Sequence, residues 1–137
     1  MDKLLTIIVP SYNMERYLEK CLTSLGIEQL SHEASESYGN YAEALEVIIV
    51  NDGSKDRTSE IAHEFAEKYP GCVKVIDKQN GHYGSCINVG VVAARGKYVK
   101  ILEADDSYDT KNFCQFVEYI DTMTRMNLMP DIFLLQY

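Results

Sequence analysis

Five short apolar runs recur along the chain, and polar stretches with helical periodicity separate them. Two of the runs are nearly continuous and rich in β-branched residues, which is typical of strands buried on both faces of a parallel sheet. We therefore predict a strand at each of LLTIIV (4–9), LEVIIV (45–50), CVKVI (72–76), YVKIL (98–102) and DIFLLQY (131–137).

The stretches between these runs place apolar residues three and four positions apart, and each predicts a helix with one apolar face. The first helix has Asn13 as a candidate N-cap and Gly26 as a stop, and the last opens at Asp109 or Thr110. The alternating order predicts an α/β fold, a Rossmann-like three-layer α/β/α sandwich around a mostly parallel sheet. Ligands of such sheets bind beyond the carboxyl ends of the strands.

The segment 28–44 is polar and long for a connection, so we expect a surface insertion there. The rest of the pattern fits one domain over 1–137, and a content of 46% hydrophobic and 25% charged residues is that of a soluble globular protein.

The net charge of −8 argues against nucleic acid or an anionic membrane as the main partner. An anionic substrate would then need backbone N–H groups, a few cationic side chains or a metal ion beside it. No apolar run is long enough to span a bilayer, and the N-terminus resembles a first strand rather than a signal peptide.

The cysteines are widely spaced and include no C-x-x-C pair, which disfavours a metal site or a disulfide framework. Core thiols in a reducing cytoplasm are the favoured interpretation for Cys21, Cys72, Cys86 and Cys114. We expect a cytoplasmic location, with peripheral association to the inner face of the membrane left open.

The segment PSYN (10–13) follows the first predicted strand. Pro10 interrupts the strand ladder, Tyr12 offers a flat ring, and Asn13 can cap the next helix. On these four residues alone, a plain strand-to-helix turn with a cap is the favoured interpretation.

The segment NDGSKDRT (51–58) follows the second strand. Asp52 could accept hydrogen bonds from a nucleobase N–H or from ribose hydroxyls, Gly53 permits an unusual backbone turn, and Ser54 can cap a helix. An ordinary Asp-Gly-Ser turn is the alternative.

The segment 77–90 follows the third strand and runs through a glycine-containing loop into a helix. It is neither a dinucleotide fingerprint nor a P-loop. Lys78 could approach an anion, and the N-terminus of the following helix favours negative charge. For His82, a hydrogen-bonded loop histidine is favoured over a catalytic or ligating one.

The segment EADDSYD (103–109) follows the fourth strand. Glu103 and Asp105 are two residues apart and would share one side of an extended chain. Oxygen ligands of this kind suit Mg²⁺ or Mn²⁺. A helix start with Asp109 as cap and solvated acids around it is the alternative, and both interpretations remain open on this segment alone.

Together, the four segments resemble family 2 glycosyltransferases in order and spacing. They are TIIVPSYN, EVIIVNDGSKDRT, NGHYGSCINVG and GKYVKILEADDSYD. The resemblance runs from Leu4 to Asp109 and continues more weakly to Tyr137. It implies the nucleotide-sugar-binding half of a GT-A fold.

The resemblance also implies roles for individual residues. Tyr12 would lie against the base, Asp52 would hydrogen-bond the base (usually uracil), and the loop 80–88 would close over ribose and diphosphate. Asp105 would bind Mn²⁺ or Mg²⁺, with Glu103 in the place of the family's first aspartate. The implied nucleotide-sugar site comprises Pro10, Ser11, Tyr12, Asn13, Asp52, Gly53, Ser54, Lys78, Asn80, His82, Gly84, Asn88 and Asp105.

The chain departs from the family's pattern in three respects. Asn51 stands where relatives often carry an acid, and Ile87 and Val89 stand where many carry an arginine. Glu103 replaces an aspartate, which could change metal affinity or sugar choice.

The implied chemistry is inverting transfer of a sugar from a nucleotide-diphospho-sugar to an acceptor hydroxyl. UDP-sugar is the expected donor, and a cell-surface polysaccharide or glycolipid is the expected acceptor. Members of the family supply the catalytic base from an acceptor half of roughly a hundred further residues. We therefore expect that half to be absent, assign no catalytic residue, and expect donor binding with little transfer by this chain alone. We also expect self-association, because IFLLQY (132–137) would lie near an open sheet edge.

Two other functions remain open. One is a noncatalytic nucleotide-binding or interaction module that retains the fold. The other is a nucleotidyltransferase, which is disfavoured because PSYN (10–13) is not the Gly-rich, cation-bearing loop of such enzymes.

Overall fold

The computed structural model describes residues 3–31, 41–128 and 130–131. Strands and helices alternate along these residues. The strands are β1 (Leu5–Ser11), β2 (Leu45–Asp52), β3 (Val73–Lys78) and β4 (Tyr98–Ile101). The helices are α1 (Leu18–Thr23), α2 (Ile27–Ser31), a 3-10 turn (Tyr41–Glu43), α3 (Thr58–Lys68), α4 (His82–Ala93) and α5 (Thr110–Arg125).

The strands described form one parallel sheet in the order β3-β2-β1-β4. Residues of β1 pair with β2 from Leu5 opposite Leu45 to Ser11 opposite Asn51, so both strands end at the same edge of the sheet. This confirms the predicted parallel α/β architecture. The fifth predicted strand (131–137) lies outside the described residues, apart from Asp131.

Helices cover both faces of the sheet, which confirms the three-layer arrangement. Ile7 and Val9 of β1 belong to a core cluster that contains residues of α1, α3 and α5. Ile8, between them, belongs to a second cluster with Cys86 of α4. Every residue of β1 and β2 is buried, as their continuous apolar pattern predicted, because both faces are covered.

Asn13 is not a helix cap, and the prediction that it caps the first helix was wrong. Helix α1 begins at Leu18, and Asn13 has a φ of 52°. Its N–H donates to Ser54 Oγ at 3.0 Å, and its side-chain oxygen accepts from the N–H of Lys55 at 2.9 Å. Asn13 therefore joins the loops after β1 and β2.

Asp109 caps α5 as predicted, since its carboxylate accepts from the N–H of Asn112 at 3.0 Å. Gly26, the predicted stop of the first helix, has a φ of 64° in the turn between α1 and α2. A β-carbon there would lie 2.7 Å from Cys114 Sγ, so this turn also lets α5 pack closely.

The described ends of the segment 28–44 carry buried residues, Leu30 and Ala42. Residues 32–40 lie outside the described part, and the surface insertion there stays a prediction. The interpretation of the cysteines as core thiols agrees with the structure, in which Cys21, Cys72, Cys86 and Cys114 are buried and unbridged. Among the described helices, none combines the length and the apolar character needed to cross a membrane.

Candidate functional site

An open cleft of about 440 Å³ lies at the carboxyl ends of the parallel strands. It receives residues from the ends of β1 and β2, from the loops after β1, β3 and β4, and from the start of α4. Of the predicted site residues, it brings together Pro10, Ser11, Tyr12, Asp52, Asn80, His82, Glu103 and Asp105. The side chain of Tyr12 is 44% exposed, so its ring is available to a ligand.

Other predicted site residues do not line this cleft. Gly53 supports it indirectly: its φ is 72°, and a β-carbon there would lie 2.8 Å from the backbone nitrogen of Asn80. Only glycine fits this close approach without strain. The remaining predicted residues outside the lining are Asn13, Ser54, Lys78, Gly84 and Asn88.

Asp52 is the most constrained residue of the cleft. Its Oδ1 accepts from Lys78 Nζ and from the N–H of Gly81, both at 2.8 Å, and its Oδ2 accepts from the N–H of His82 at 3.0 Å. Burial disfavours the charged form, but these bonds outweigh burial and hold the pKa of Asp52 below its ordinary value. The carboxylate therefore anchors the loop that leads into α4.

Lys78 bonds Asp52 and does not line the cleft. Besides Asp52, its ammonium donates to the carbonyl oxygen of Gln79 and to Ser85 Oγ, both at 2.7 Å. Only 17% of its side chain is exposed. The sequence suggested a cation free to approach an anion, whereas the structure gives this cation three partners within the protein.

Asn51 also points away from the cleft. Its Nδ2 donates to Asp77 Oδ1 at 2.8 Å, and its Oδ1 accepts from the N–H of Ser54 at 3.2 Å. Asn51 therefore stabilises the turn after β2 and ties it to β3. It does not supply the cleft with a second acceptor beside Asp52.

Three acids form a cluster after β4. Glu103, Asp105 and Asp106 are exposed, and each offers a carboxylate oxygen within 4.8 Å of the other two. A turn creates the cluster, since the N–H of Asp106 donates to the carbonyl oxygen of Glu103 at 2.9 Å. Hard divalent cations such as Mg²⁺ and Mn²⁺ prefer oxygen donors, so this donor set fits the metal implied by the sequence.

The negative charge of this cluster reaches the core beneath it. Burial raises the pKa of the Cys21 thiol to about 12, and the charges of Asp106 and Asp105 add to that effect. A cation bound by the acids would relieve their mutual repulsion.

Sequence reasoning missed five residues of this region. Asp106 follows Asp105 directly, and the crowding of acids was the available signal. Tyr83 is 50% exposed. Partial burial raises the pKa of its hydroxyl, and so do the negative charge of Glu103 and a hydrogen bond to that residue. The other three, all lining the cleft, are Met14, Cys86 and Ala104. They had no chemical signal, because apolar lining residues resemble core residues in a sequence.

His82 adopts a left-handed backbone conformation at the start of α4, with a φ of 70°. Such a conformation is costly for a non-glycine residue, and here the bond from its N–H to Asp52 holds it. The side chain is exposed at the cleft.

The chain resembles known proteins over most of its length. The sequence profile "Glycosyl transferase family 2" matches residues 6–130. The "Uncharacterized glycosyltransferase EpsJ" of Bacillus subtilis (strain 168) is 36% identical over 118 residues, which cover 86% of this chain and 30% of that protein. The "Minor teichoic acid biosynthesis protein GgaB" of the same organism is 31% identical over 85% of this chain and 12% of its own length.

A solved structure shares the fold. The crystal structure of S. aureus TarS 1-349 in complex with UDP-GlcNAc aligns with a TM-score of 0.67 and 28% identity, over 88% of this chain and 32% of that one. The chain thus spans about a third or less of the length of each of these relatives. The parallel sheet, the residues gathered at its carboxyl edge and the profile match over residues 6–130 have one explanation: the chain belongs to glycosyl transferase family 2.

Proposed function

We propose that this chain binds a nucleotide-diphospho-sugar, with UDP-sugar as the donor, together with Mn²⁺ or Mg²⁺. In this proposal it is the donor half of an inverting glycosyltransferase. The observation that carries the proposal is the convergence of Tyr12, Asp52, Glu103 and Asp105 in one cleft.

The base would occupy the side of the cleft formed by β1 and β2. The exposed ring of Tyr12 offers a stacking surface, and the backbone of Pro10 and Ser11 offers polar groups beside it. Asp52 is the acceptor available to a base N–H. The UDP-GlcNAc bound in the TarS structure supports a uridine nucleotide as the ligand.

The diphosphate would occupy the side of the cleft next to the acid cluster. Three carboxylates there would repel a diphosphate, so we infer that Glu103, Asp105 and Asp106 hold a divalent cation between them and the ligand. When bound, such a cation stabilises the charge that develops on a departing diphosphate.

The sugar and the acceptor would meet at the outer end of this cleft. A second concavity of about 430 Å³ shares Tyr83 and Glu103 with the donor cleft. In our proposal the acceptor is a saccharide or glycolipid of the cell surface, which the similarity to the minor teichoic acid biosynthesis protein GgaB supports. The catalytic base that deprotonates the acceptor hydroxyl would come from a region that corresponds to the part of the relatives that this chain does not span.

Titration calorimetry tests this function. UDP should bind the chain in the presence of Mn²⁺, and binding should weaken when the metal is removed. Asp105→Asn should abolish the metal-dependent part, while the matched variant Asp121→Asn, on α5 and paired with Arg125, should bind like the wild type. UDP that fails to bind, or binds equally with and without Mn²⁺, would contradict the proposal.

A noncatalytic nucleotide-binding module is the second candidate. Ile87 and Val89 favour it, because they stand at the candidate places of the arginine that the family resemblance implies, and their apolar side chains offer the diphosphate no cation. Both candidates bind UDP in the calorimeter. Sugar transfer by a longer polypeptide that adds an acceptor-binding region distinguishes them.

A further inference from the structure

The Asp52 carboxylate has few acceptor positions left for a ligand. An ionised carboxylate offers about four, two on each oxygen. Lys78 Nζ and the N–H of Gly81 occupy Oδ1, and the N–H of His82 occupies one position on Oδ2. One position, on Oδ2, remains; the thiol of Cys86, a weak donor, also lies beside the Asp52 carboxylate.

Lys78 holds Oδ1 firmly. Its ammonium has three N–H donors, and Asp52, Gln79 and Ser85 take one each. The side chains of Lys78 and Asp52 are only 17% and 4% exposed, so a ligand that displaced Lys78 would leave a largely buried ammonium without its counter-charge. Such a loss is strongly unfavourable, and Oδ1 therefore stays occupied when a ligand enters.

The number of free acceptor positions on the Asp52 carboxylate determines which nucleobase it can pair with. Uracil presents a single N–H, at N3, between two carbonyl oxygens. Guanine presents two parallel N–H donors, at N1 and at the exocyclic amine, which pair with both oxygens of one carboxylate. A carboxylate with one free acceptor position can pair with the single N–H of uracil. With guanine it would leave one of the two N–H donors unpaired, which is costly in a desolvated site.

We infer that Lys78 is a specificity-determining residue: by occupying Oδ1 of Asp52, it makes the cleft accept uracil and reject guanine. This inference rests on the proposed function, because it concerns the same nucleotide site. Lys78 acts through Asp52 and is therefore a positioning residue that needs no contact with the ligand.

Competition binding of UDP, GDP and N3-methyl-UDP in excess Mn²⁺ tests the inference on the 137-residue chain. The wild type should bind UDP about tenfold or more tightly than GDP and than N3-methyl-UDP, which lacks the single donor. Lys78→Met frees a second position, one on each oxygen, and should reduce the UDP/GDP affinity ratio by about tenfold. Lys78→Arg restores a cationic donor and should keep most of the preference for UDP.

Lys74→Met is the matched control. Lys74 lies four residues earlier on β3 and also pairs with a buried carboxylate, Glu46, at 3.3 Å, but it is not part of the cleft. This variant should leave the UDP/GDP ratio unchanged. Circular dichroism verifies that each variant is folded.

The outcomes separate this inference from the proposed function. A folded Lys78→Met protein that loses affinity for UDP and GDP equally would show a merely structural role and overturn the inference. A wild type that binds GDP or N3-methyl-UDP as tightly as UDP would also overturn the inference. This comparison uses only the wild type, so it is informative even if Lys78→Met does not fold. A wild type that binds no nucleotide overturns the proposed function and the inference together.

Discussion

Replacing Glu46 by glutamine should cost the protein about 3 kcal/mol of unfolding free energy at neutral pH. Glu46 lies on β2 at the end of the sheet opposite the cleft, and its side chain is 1% exposed. Oε1 accepts from Thr6 Oγ1 and from the N–H of Arg95, both at 2.8 Å. Oε2 accepts from Arg95 Nε at 2.9 Å and pairs with Lys74 at 3.3 Å.

The magnitude follows from the ionisation of this carboxyl. Burial opposes the charge, but the bonds from Arg95, Thr6 and Lys74 outweigh burial and lower the pKa of Glu46 from 4.5 to about 2. At about 1.4 kcal/mol per pH unit, the charged form gains about 3 kcal/mol from the folded surroundings.

The pH dependence has a definite sign. Because the folded pKa lies below the unfolded one, the contribution of Glu46 is complete above pH 4.5 and is lost as the pH falls towards 2. The stability difference between wild type and Glu46→Gln should therefore shrink to less than half at about pH 3.

Urea denaturation at neutral pH and near pH 3, followed by circular dichroism, measures this difference. Glu60→Gln is the control: Glu60 pairs with Arg57 at 2.8 Å, but both side chains are more than half exposed, so its removal should cost little. A Glu46→Gln effect that is equal at both pH values, or no larger than that of Glu60→Gln, would refute the reasoning.

Three further predictions concern the cleft and the surface. Gly53→Ala should destabilise the protein by about 1–2 kcal/mol, because a side chain at a φ of 72° is strained and meets Asn80. It should also weaken UDP binding; urea denaturation measures the first effect and titration calorimetry the second. In the proposed function the acceptor half corresponds to the part of the relatives that this chain does not span, so residues 1–137 alone should transfer little sugar from a radiolabelled UDP-sugar to candidate acceptors; efficient turnover would contradict this. The chain should self-associate in light scattering as its concentration rises. IFLLQY (132–137) is the surface that the sequence predicts, and Val92, 88% exposed beside Val91 on α4, is a second apolar surface, so Val92→Lys should reduce the association; a wild type that stays monomeric at high concentration would contradict this expectation.

The parallel sheet was predictable because its two central strands are buried on both faces. Residues such as Ile7, Ile8 and Ile48 fall into two clusters, one on each side of the sheet, and this requires an apolar residue at nearly every position. Once the strands were placed, the parallel order brought the residues after them to one edge, so the gathering of Tyr12 and Asp52 in one cleft followed from topology.

The partners of individual side chains were not predictable. Asn13 is a residue type that caps helices, but its partners Ser54 and Lys55 are more than 40 positions away in the sequence. Lys78 carried the signal of a cation near an anion site, and no local pattern reveals that Asp52, 26 residues earlier, neutralises it. Contacts between distant loops depend on three-dimensional placement, which residue type does not determine.

The prediction of the acid cluster was incomplete because it assumed an extended backbone after β4. Alternation along an extended chain selects Glu103 and Asp105 and places Asp106 on the other side. The chain turns here instead, through the bond from the N–H of Asp106 to Glu103, and the third acid joins the first two. The composition of EADD was the better guide than its spacing.

Asp52 has two roles: it lines the cleft, and its bonds from the N–H groups of Gly81 and His82 fix the backbone that leads into α4. The free energy of ligand binding to Asp52 and the free energy of ordering this backbone are therefore coupled, and the coupling acts in both directions. In the proposed complex, a correctly matched base would rigidify this backbone, and a rigid backbone would in turn favour the matched base. Recognition at one end of a nucleotide would thereby influence how tightly its other end is enclosed.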